Sequence, residues 1–147
     1  MSKDTVLPEQ YRTKKAYFYE SAFFVDQRVF IPRPETEILI ETACVYAHTL
    51  SDRRKSTVVS LSAGAIHKKR PAILDLCTGS GNIAISLTKS LDLDTILACD
   101  ISEDALTVAR LNSSMNRSSD KIRFIKSDLF ENIKGVIDNN ISKGSIA

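Results

Sequence analysis

The residues best suited to chemistry are Asp75-Leu76-Cys77-Thr78-Gly79-Ser80-Gly81-Asn82. Gly79 and Gly81 let the backbone turn sharply and let a ligand reach main-chain atoms with no side chain between. A helix starting just after such a turn offers the free N–H groups of its first turn to that ligand. Asp100 follows 19 residues after Gly81, where a carboxylate can accept hydrogen bonds from both hydroxyls of a ribose. Loop, helix and acid together describe a site for a nucleoside-bearing cofactor. The plainer alternative is a glycine turn beside an ordinary aspartate at a strand–helix junction.

Two cofactor chemistries fit the glycines. Gly79-x-Gly81-x-x-Ala84 matches the dinucleotide fingerprint, whose last position can be alanine. Asp75 argues the other way. It sits inside an apolar run, four residues before Gly79, where its charge would oppose a pyrophosphate and suit a ligand carrying an ammonium and a sulfonium. Ser127-Asp128-Leu129 adds a second acid further along: Asp128 can accept from an adenine amino group while Leu129 packs the ring, or Asp128 can simply be a turn residue. No Ser/His/Asp or Cys/His arrangement is legible, so no catalytic residue is named. His48 and His67 stand alone, and Cys44, Cys77 and Cys99 have no metal-like spacing.

These residues need a scaffold, and the pattern supplies an α/β one. Ala72–Leu76, Thr95–Cys99 and Lys121–Lys126 read as strands, the first two as buried runs. Between them lie helices over Asn82–Leu91, with Ile83, Leu87 and Leu91 on one face, and from an N-capping Ser102 to about Asn116, with Ala105, Val108 and Ala109 inward. The order β-α-β-α-β implies a parallel, Rossmann-like sheet. Upstream, residues 5–20 suit a short helix, and residues 22–31 read as a hairpin or extended arm reversing at Asp26-Gln27-Arg28. Arg33 before Pro34 should be extended. Pro34, Glu35 and Glu37 suit the start of a helix over 35–50 whose stripe is Leu39, Ala43, Tyr46, Ala47 and Leu50. The expected divisions are a helix stub and hairpin arm over 1–34, a partial cofactor-binding domain over 35–131, and a polar tail over 132–147.

The 147 residues are 43% hydrophobic with a formal net charge of +2, which excludes wholesale disorder and does not point to nucleic acid. No apolar run approaches the ~18–20 residues of a membrane span. The amino terminus has no apolar signal core, and the cysteines sit in apolar stretches as buried, reduced core fillers, so a cytoplasmic home is expected, with a mitochondrial one also open. Residues 51–70 hold six Lys/Arg and one Asp. They read as a basic surface insertion loop rather than an RNA-binding patch, because no aromatics are interleaved.

In order, Ile31-Pro32-Arg33-Pro34-Glu35-Thr36-Glu37, then Asp75 to Ile85, then Ser127-Asp128-Leu129-Phe130 make the chain resemble the class I S-adenosylmethionine methyltransferases of the HemK/PrmC type. That family methylates the side-chain amide of the glutamine in the Gly-Gly-Gln motif of peptide chain release factors. The resemblance implies S-adenosylmethionine as cofactor and a release factor as partner. It implies that Cys77, Thr78, Gly79, Ser80 and Gly81 surround the methionine part and that Asp75 steadies the loop or the ammonium group. Asp100 would hold the ribose, and Asp128 with Leu129 the adenine. Arg33 and Glu35 would belong to an arm at the substrate mouth, or else only begin a helix. Cys77 replaces the first glycine of the family's loop. The family's Asn-Pro-Pro-Tyr motif would fall soon after Asp128, yet no proline follows Pro71. The resemblance therefore implies a chain truncated before that motif, the amino-terminal half of the sheet, with little or no methyl transfer by itself. The alternatives are a non-catalytic S-adenosylmethionine-binding or interaction module, completed by a partner chain or self-associating through its exposed sheet edge, and half of a dinucleotide-binding oxidoreductase.

Overall fold

The computed structural model of the protein describes residues 7–55, 73–93 and 95–135. Pro8 precedes a short helix, α1 (Glu9–Thr13), which ends on Lys14 in the left-handed region at φ 55°. Strands β1 (Lys15–Phe18) and β2 (Ser21–Phe24) then pair antiparallel, from Lys15↔Phe24 to Phe18↔Ser21. The period-2 pattern turns Ala16, Phe18 and Phe23 inward, where the Phe18 and Phe23 rings meet edge to face with centroids 6.2 Å apart.

The hairpin therefore reverses at Tyr19-Glu20, with Tyr19 at φ 52°, and not at Asp26-Gln27-Arg28. The reason is local. The Asp26 carboxylate accepts from the Arg28 backbone N–H at 3.0 Å and from its guanidinium at 2.7 to 3.0 Å. The Val29 N–H donates to the Asp26 carbonyl. That closes a single bend, and Phe30 continues into solvent instead of returning as a strand.

Arg33 is extended, as a residue before proline should be (φ −103°, ψ 138°), and a 3-10 turn over Pro34–Thr36 leads into α2 (Glu37–Lys55). Its inward stripe is Ile40 and Ala47, flanked by Ala43 and Cys44, while Leu39 and Tyr46 are 52% and 64% exposed. Of the expected stripe, Ala43 and Ala47 face inward and Leu50 is half-buried, whereas Leu39 gives way to its neighbour Ile40 and Tyr46 turns outward. The helix carries two apolar stripes, and periodicity alone does not rank them. The one with the small residues Ala43, Cys44 and Ala47 allows closer approach to the neighbouring helix. α2 also runs on through residues 51–55, expected to belong to the insertion loop; residues 56–70 of that loop lie outside the described ones.

β3 (Ile73–Leu76), α3 (Asn82–Ser90), β4 (Ile96–Asp100), α4 (Glu103–Met115) and β5 (Ile122–Lys126) follow in the expected alternation. The sheet is parallel in the order β3-β4-β5, with Ile73↔Ile96 and Ile96↔Ile122 in register. One core joins Ile96, Ala98 and Ile122 to Ile85 and Leu87 of α3, Val108 of α4, Ile40 of α2 and the hairpin phenylalanines. α3 is buried on more than the single expected face, since Ala84, Ile85, Ser86 and Thr88 are covered as well as Leu87. Ser102 caps α4 as expected, accepting from the Ala105 N–H at 3.2 Å. Beyond β5, Ile133 is fully buried, so the start of the expected tail is anchored; residues 136–147 lie outside the described ones. No described helix is long and apolar enough to cross a membrane. The parallel sheet sets the carboxyl ends of its strands, Leu76, Asp100 and Lys126, along one edge, where the loops carrying the candidate residues gather.

Candidate cofactor site

The loop from Cys77 to Gly81 is held by a buried carboxylate. Asp75, in the middle of β3, aims Oδ2 at the start of α3, where it accepts from the Thr78 hydroxyl at 2.6 Å and the Ala84 N–H at 3.2 Å. Thr78 is the other half of this knot. Its N–H donates to the Cys99 carbonyl of β4 at 2.9 Å and its own carbonyl accepts from the Gly81 N–H at 2.8 Å. Burial pushes the Asp75 carboxyl above its ordinary value; the Thr78 and Ala84 donors counteract this, and the nearby Asp100 charge adds to it. Asp75 thus steadies the loop from below. Thr78 and Ser80 are also buried, with the Ser80 hydroxyl donating to Asn82 Oδ1 at 3.0 Å.

Gly79 and Gly81 take φ of 54° and 78°, which an L side chain rarely adopts. A Cβ on Gly79 would have only the Cys77 carbonyl within reach, at 4.0 Å, so a ligand can lie against this backbone. Gly81 is closed in by α4: a Cβ there would lie 3.2 Å from Ala109 Cβ.

Asp100 ends β4 and faces the loop. One oxygen accepts from the Gly79 N–H at 2.9 Å and the other from the Ser102 N–H at 3.0 Å. A carboxylate oxygen has capacity for two donors, so both oxygens, held in place by backbone, retain lone pairs for hydroxyl donors. Asp128 and Leu129 lie exposed beyond β5 on the same edge. Leu129 sits at φ 44°, its carbonyl accepting from the Ser127 hydroxyl at 2.9 Å and from the Cys99 thiol at 3.8 Å. The structure thus brings Asp75, Cys77 to Gly81, Asp100 and Leu129 into one bonded network, with Asp128 beside it.

The cysteines depart from expectation. Only Cys99 is a buried core thiol; Cys44 is half-buried, and Cys77 is exposed. Cys77 is held in the left-handed region at φ 61°, a conformation glycine adopts more readily, with its side chain exposed. Arg33 and Glu35 are exposed beside the 3-10 turn. In the same run Glu37 makes the contact: its carboxylate accepts from the Tyr19 N–H at 2.7 Å and ties the hairpin turn to the start of α2. Asn112 is a second residue the sequence reading passed over. It is fully buried on α4 and bonded to both β2 and the glycine loop. Its signal was there, a polar residue continuing the inward stripe of Ala105, Val108 and Ala109. Among the described residues no cluster of His, Cys, Asp and Glu could hold a metal ion.

The chain has relatives by sequence. Residues 37–143 match the methyltransferase small domain family. The chain is 42% identical over 121 residues to a release factor glutamine methyltransferase of Chlorobaculum tepidum, covering 82% of this chain and 37% of that protein. It is 38% identical over 129 residues to a ribosomal protein uL3 glutamine methyltransferase of Francisella tularensis, covering 87% of this chain and 36% of that protein. A solved S-adenosylmethionine-dependent methyltransferase from Agrobacterium tumefaciens superposes with a TM-score of 0.49 at 18% identity, over 81% of this chain and 33% of its own. The chain spans just over a third of the length of the curated relatives named here. By sequence, over residues 37–143, the chain belongs to the methyltransferase small domain family.

Proposed function

We propose that this protein binds S-adenosylmethionine in the cradle between Cys77–Gly81, Asp100 and Asp128–Leu129, and that its reaction is methyl transfer to the side-chain amide of the Gly-Gly-Gln glutamine of a peptide chain release factor. The observation that carries the cofactor reading is the pair of carboxylates, Asp75 and Asp100, bonded to the adjacent residues Thr78 and Gly79 of one glycine loop. Their charges, close enough for Asp100 to raise the Asp75 carboxyl, favour a cationic ligand and oppose the pyrophosphate of a dinucleotide. The residues fit the group: Gly79 leaves its backbone open, Asp100 has acceptor capacity for two ribose hydroxyls, and exposed Leu129 gives an apolar surface for a purine ring, with Asp128 an acceptor for its amino group.

When bound, the cofactor supplies a methyl group activated by a sulfonium. The chain's own part is to orient it. Asp75 fixes the loop, the start of α3 would offer N–H groups to the cofactor carboxylate, and Asp100 would hold the ribose. An amide nitrogen is a weak nucleophile, so aiming it supplies much of the rate. The Asn-Pro-Pro-Tyr residues that would aim it are not among these 147, and Arg33 and Glu35 lie on the arm assigned to the substrate side. We assign acceptor positioning to polypeptide outside these 147 residues, further residues of the same protein or a partner chain, adding to the outer edge of β3, which has a strand partner on one side only among the described residues. The same reading places the protein where release factors act, in the cytoplasm or a mitochondrion.

The second reading, a ribosomal protein as substrate, is favoured by the likeness to the Francisella protein. Radiolabelled methyl transfer separates the readings. The 147 residues alone should transfer little label. Supplied with the missing sheet half, they should label a release factor and not its glutamine-to-alanine variant. Robust turnover by the 147 residues alone would overturn the division of labour, and label in a ribosomal protein only would overturn the substrate.

A further inference from the structure

α4 presents three polar contacts to parts of the chain that are far apart in sequence, and all three pass through one amide. Asn112 Oδ1 accepts from the Phe24 N–H at 2.6 Å, and Nδ2 donates to the Phe24 carbonyl at 3.0 Å and to the Ser80 carbonyl at 2.9 Å. The first two bonds treat the free edge of β2 as a neighbouring strand would. The third reaches the glycine loop. One turn on, Asn116 Nδ2 donates to the Ala22 carbonyl at 3.0 Å, and its Oδ1 accepts from Lys89 Nζ, which also reaches the Ser21 hydroxyl. Asn116 thus binds the same strand edge without touching the loop.

A residue needed only to satisfy the edge of β2 would stop at Phe24. The fully buried Asn112 spends its second donor on Ser80, so hairpin and loop share one side chain with no water between. At its other end the hairpin is tied forward, its turn bonded through Tyr19 to Glu37, and Tyr11 Oη donates to the Val29 carbonyl at 2.8 Å. The path Ser80–Asn112–Phe24–hairpin–Tyr19–Glu37 therefore joins the loop that holds the cofactor to the arm that carries Arg33 and Glu35.

We propose that Asn112 is a positioning residue that couples the cofactor loop to the hairpin, so that ligand binding at the loop orders the hairpin and the arm behind it. The proposal rests on the S-adenosylmethionine reading of the loop, and coupling of this kind is reciprocal. The control is built into the fold: Asn116→Ala loosens the same strand edge and leaves the loop untouched.

The test is hydrogen–deuterium exchange of the 147-residue protein with and without S-adenosylhomocysteine, read over residues 20–25 and 77–83 below the unfolding transition. Wild type and Asn116→Ala should show ligand-induced protection in both segments. Asn112→Ala should keep it only in 77–83 and bind S-adenosylhomocysteine about fivefold more weakly, the effect of about one net hydrogen bond. Ligand that protects 77–83 but never 20–25 in wild type overturns the coupling, with no variant needed. So does an Asn112→Ala protein that still transmits protection, which would leave Asn112 a purely structural residue. If S-adenosylhomocysteine neither binds nor protects wild type, the cofactor reading fails instead, and the coupling is judged on unliganded protein. Faster exchange of both segments in Asn112→Ala, against 20–25 only in Asn116→Ala, supports it; opening of 20–25 only in both variants overturns it.

Discussion

Gly79 and Gly81 lie two residues apart, both at positive φ, yet they should respond very differently to alanine. At Gly79 (φ 54°) the added Cβ meets nothing nearer than the Cys77 carbonyl at 4.0 Å. The cost is then the left-handed backbone, roughly 1–2 kcal/mol, less the ~0.4–1 kcal/mol that alanine recovers by restricting the unfolded chain. The net is about 1 kcal/mol. At Gly81 (φ 78°) the Cβ falls 3.2 Å from Ala109 Cβ, 3.3 Å from Ile85 Cδ1 and 3.4 Å from Ala109 Cα. Ile85 can rotate away, but Ala109 is carried by the backbone of α4, so α3 and α4 must part. Overpacking of this kind adds about 1–3 kcal/mol and brings the net to about 3 kcal/mol. For a chain of this length 1 kcal/mol moves Tm by about 3 °C. Thermal unfolding followed by circular dichroism should then show a fall of about 3 °C for Gly79→Ala and about 9 °C for Gly81→Ala. Adding Ala109→Gly should recover part of the Gly81→Ala loss, because it removes the opposing Cβ. Equal losses at the two glycines, or strict additivity in the double variant, would refute the packing of α4 against the loop.

Asp75 carries a pH signature. Burial holds its carboxyl above the ordinary 3.8, so the folded chain binds this proton more tightly than the unfolded chain. Stability therefore falls as pH rises from the unfolded value to the folded one and is level above it. Asp75→Asn keeps an acceptor for Thr78 and Ala84, and should remove that slope in urea midpoints measured across the acid range; an unchanged slope rejects the assignment. Asp75→Ala strands two buried donors and should cost about 3 kcal/mol at neutral pH. Cys77 should be the first thiol to react with Ellman's reagent, and Cys77→Gly should abolish that phase while changing stability by no more than about 1 kcal/mol, relief of the positive φ offsetting glycine's entropy. Glu37→Ala should cost about 1 kcal/mol by urea unfolding, since it removes the acceptor for the Tyr19 N–H, while Glu37→Gln stays near wild type; equal losses would place the role of Glu37 elsewhere.

Much of the sheet could be read from the chain because its strands are short apolar runs, two glycines mark the start of α3, and Ser102 caps α4. The Asp75–Gly81 loop and Asp100 were legible because few other jobs need two glycines, a strand-borne acid and a second acid at that spacing. Less was legible where two local patterns compete. Around Ala43 and Ala47, α2 offers Leu39 and Tyr46 on one side and Ile40 and Cys44 on the other, and only the tertiary neighbour decides between them. The hairpin hid because Tyr19 reverses the chain without glycine or asparagine, while Asp26-Gln27-Arg28 looks like a turn and closes only a bend. The division of labour within the loop was also out of reach. Thr78 and Ser80 read as ligand-facing residues, but their hydroxyls are turned inward to Asp75 and Asn82. Asn112 could be found only by asking why a polar side chain continues an apolar stripe.

The cradle should take a nucleoside cofactor that carries an ammonium group and refuse the pyrophosphate of a dinucleotide. Isothermal titration of the 147-residue protein with S-adenosylhomocysteine and, separately, with NADH tests it most directly. Saturable binding of S-adenosylhomocysteine is expected, weakened about tenfold or more in Asp100→Ala through loss of the ribose acceptor and its Gly79 anchor, with no binding of NADH. Saturable NADH binding, or S-adenosylhomocysteine binding untouched by Asp100→Ala, would contradict it.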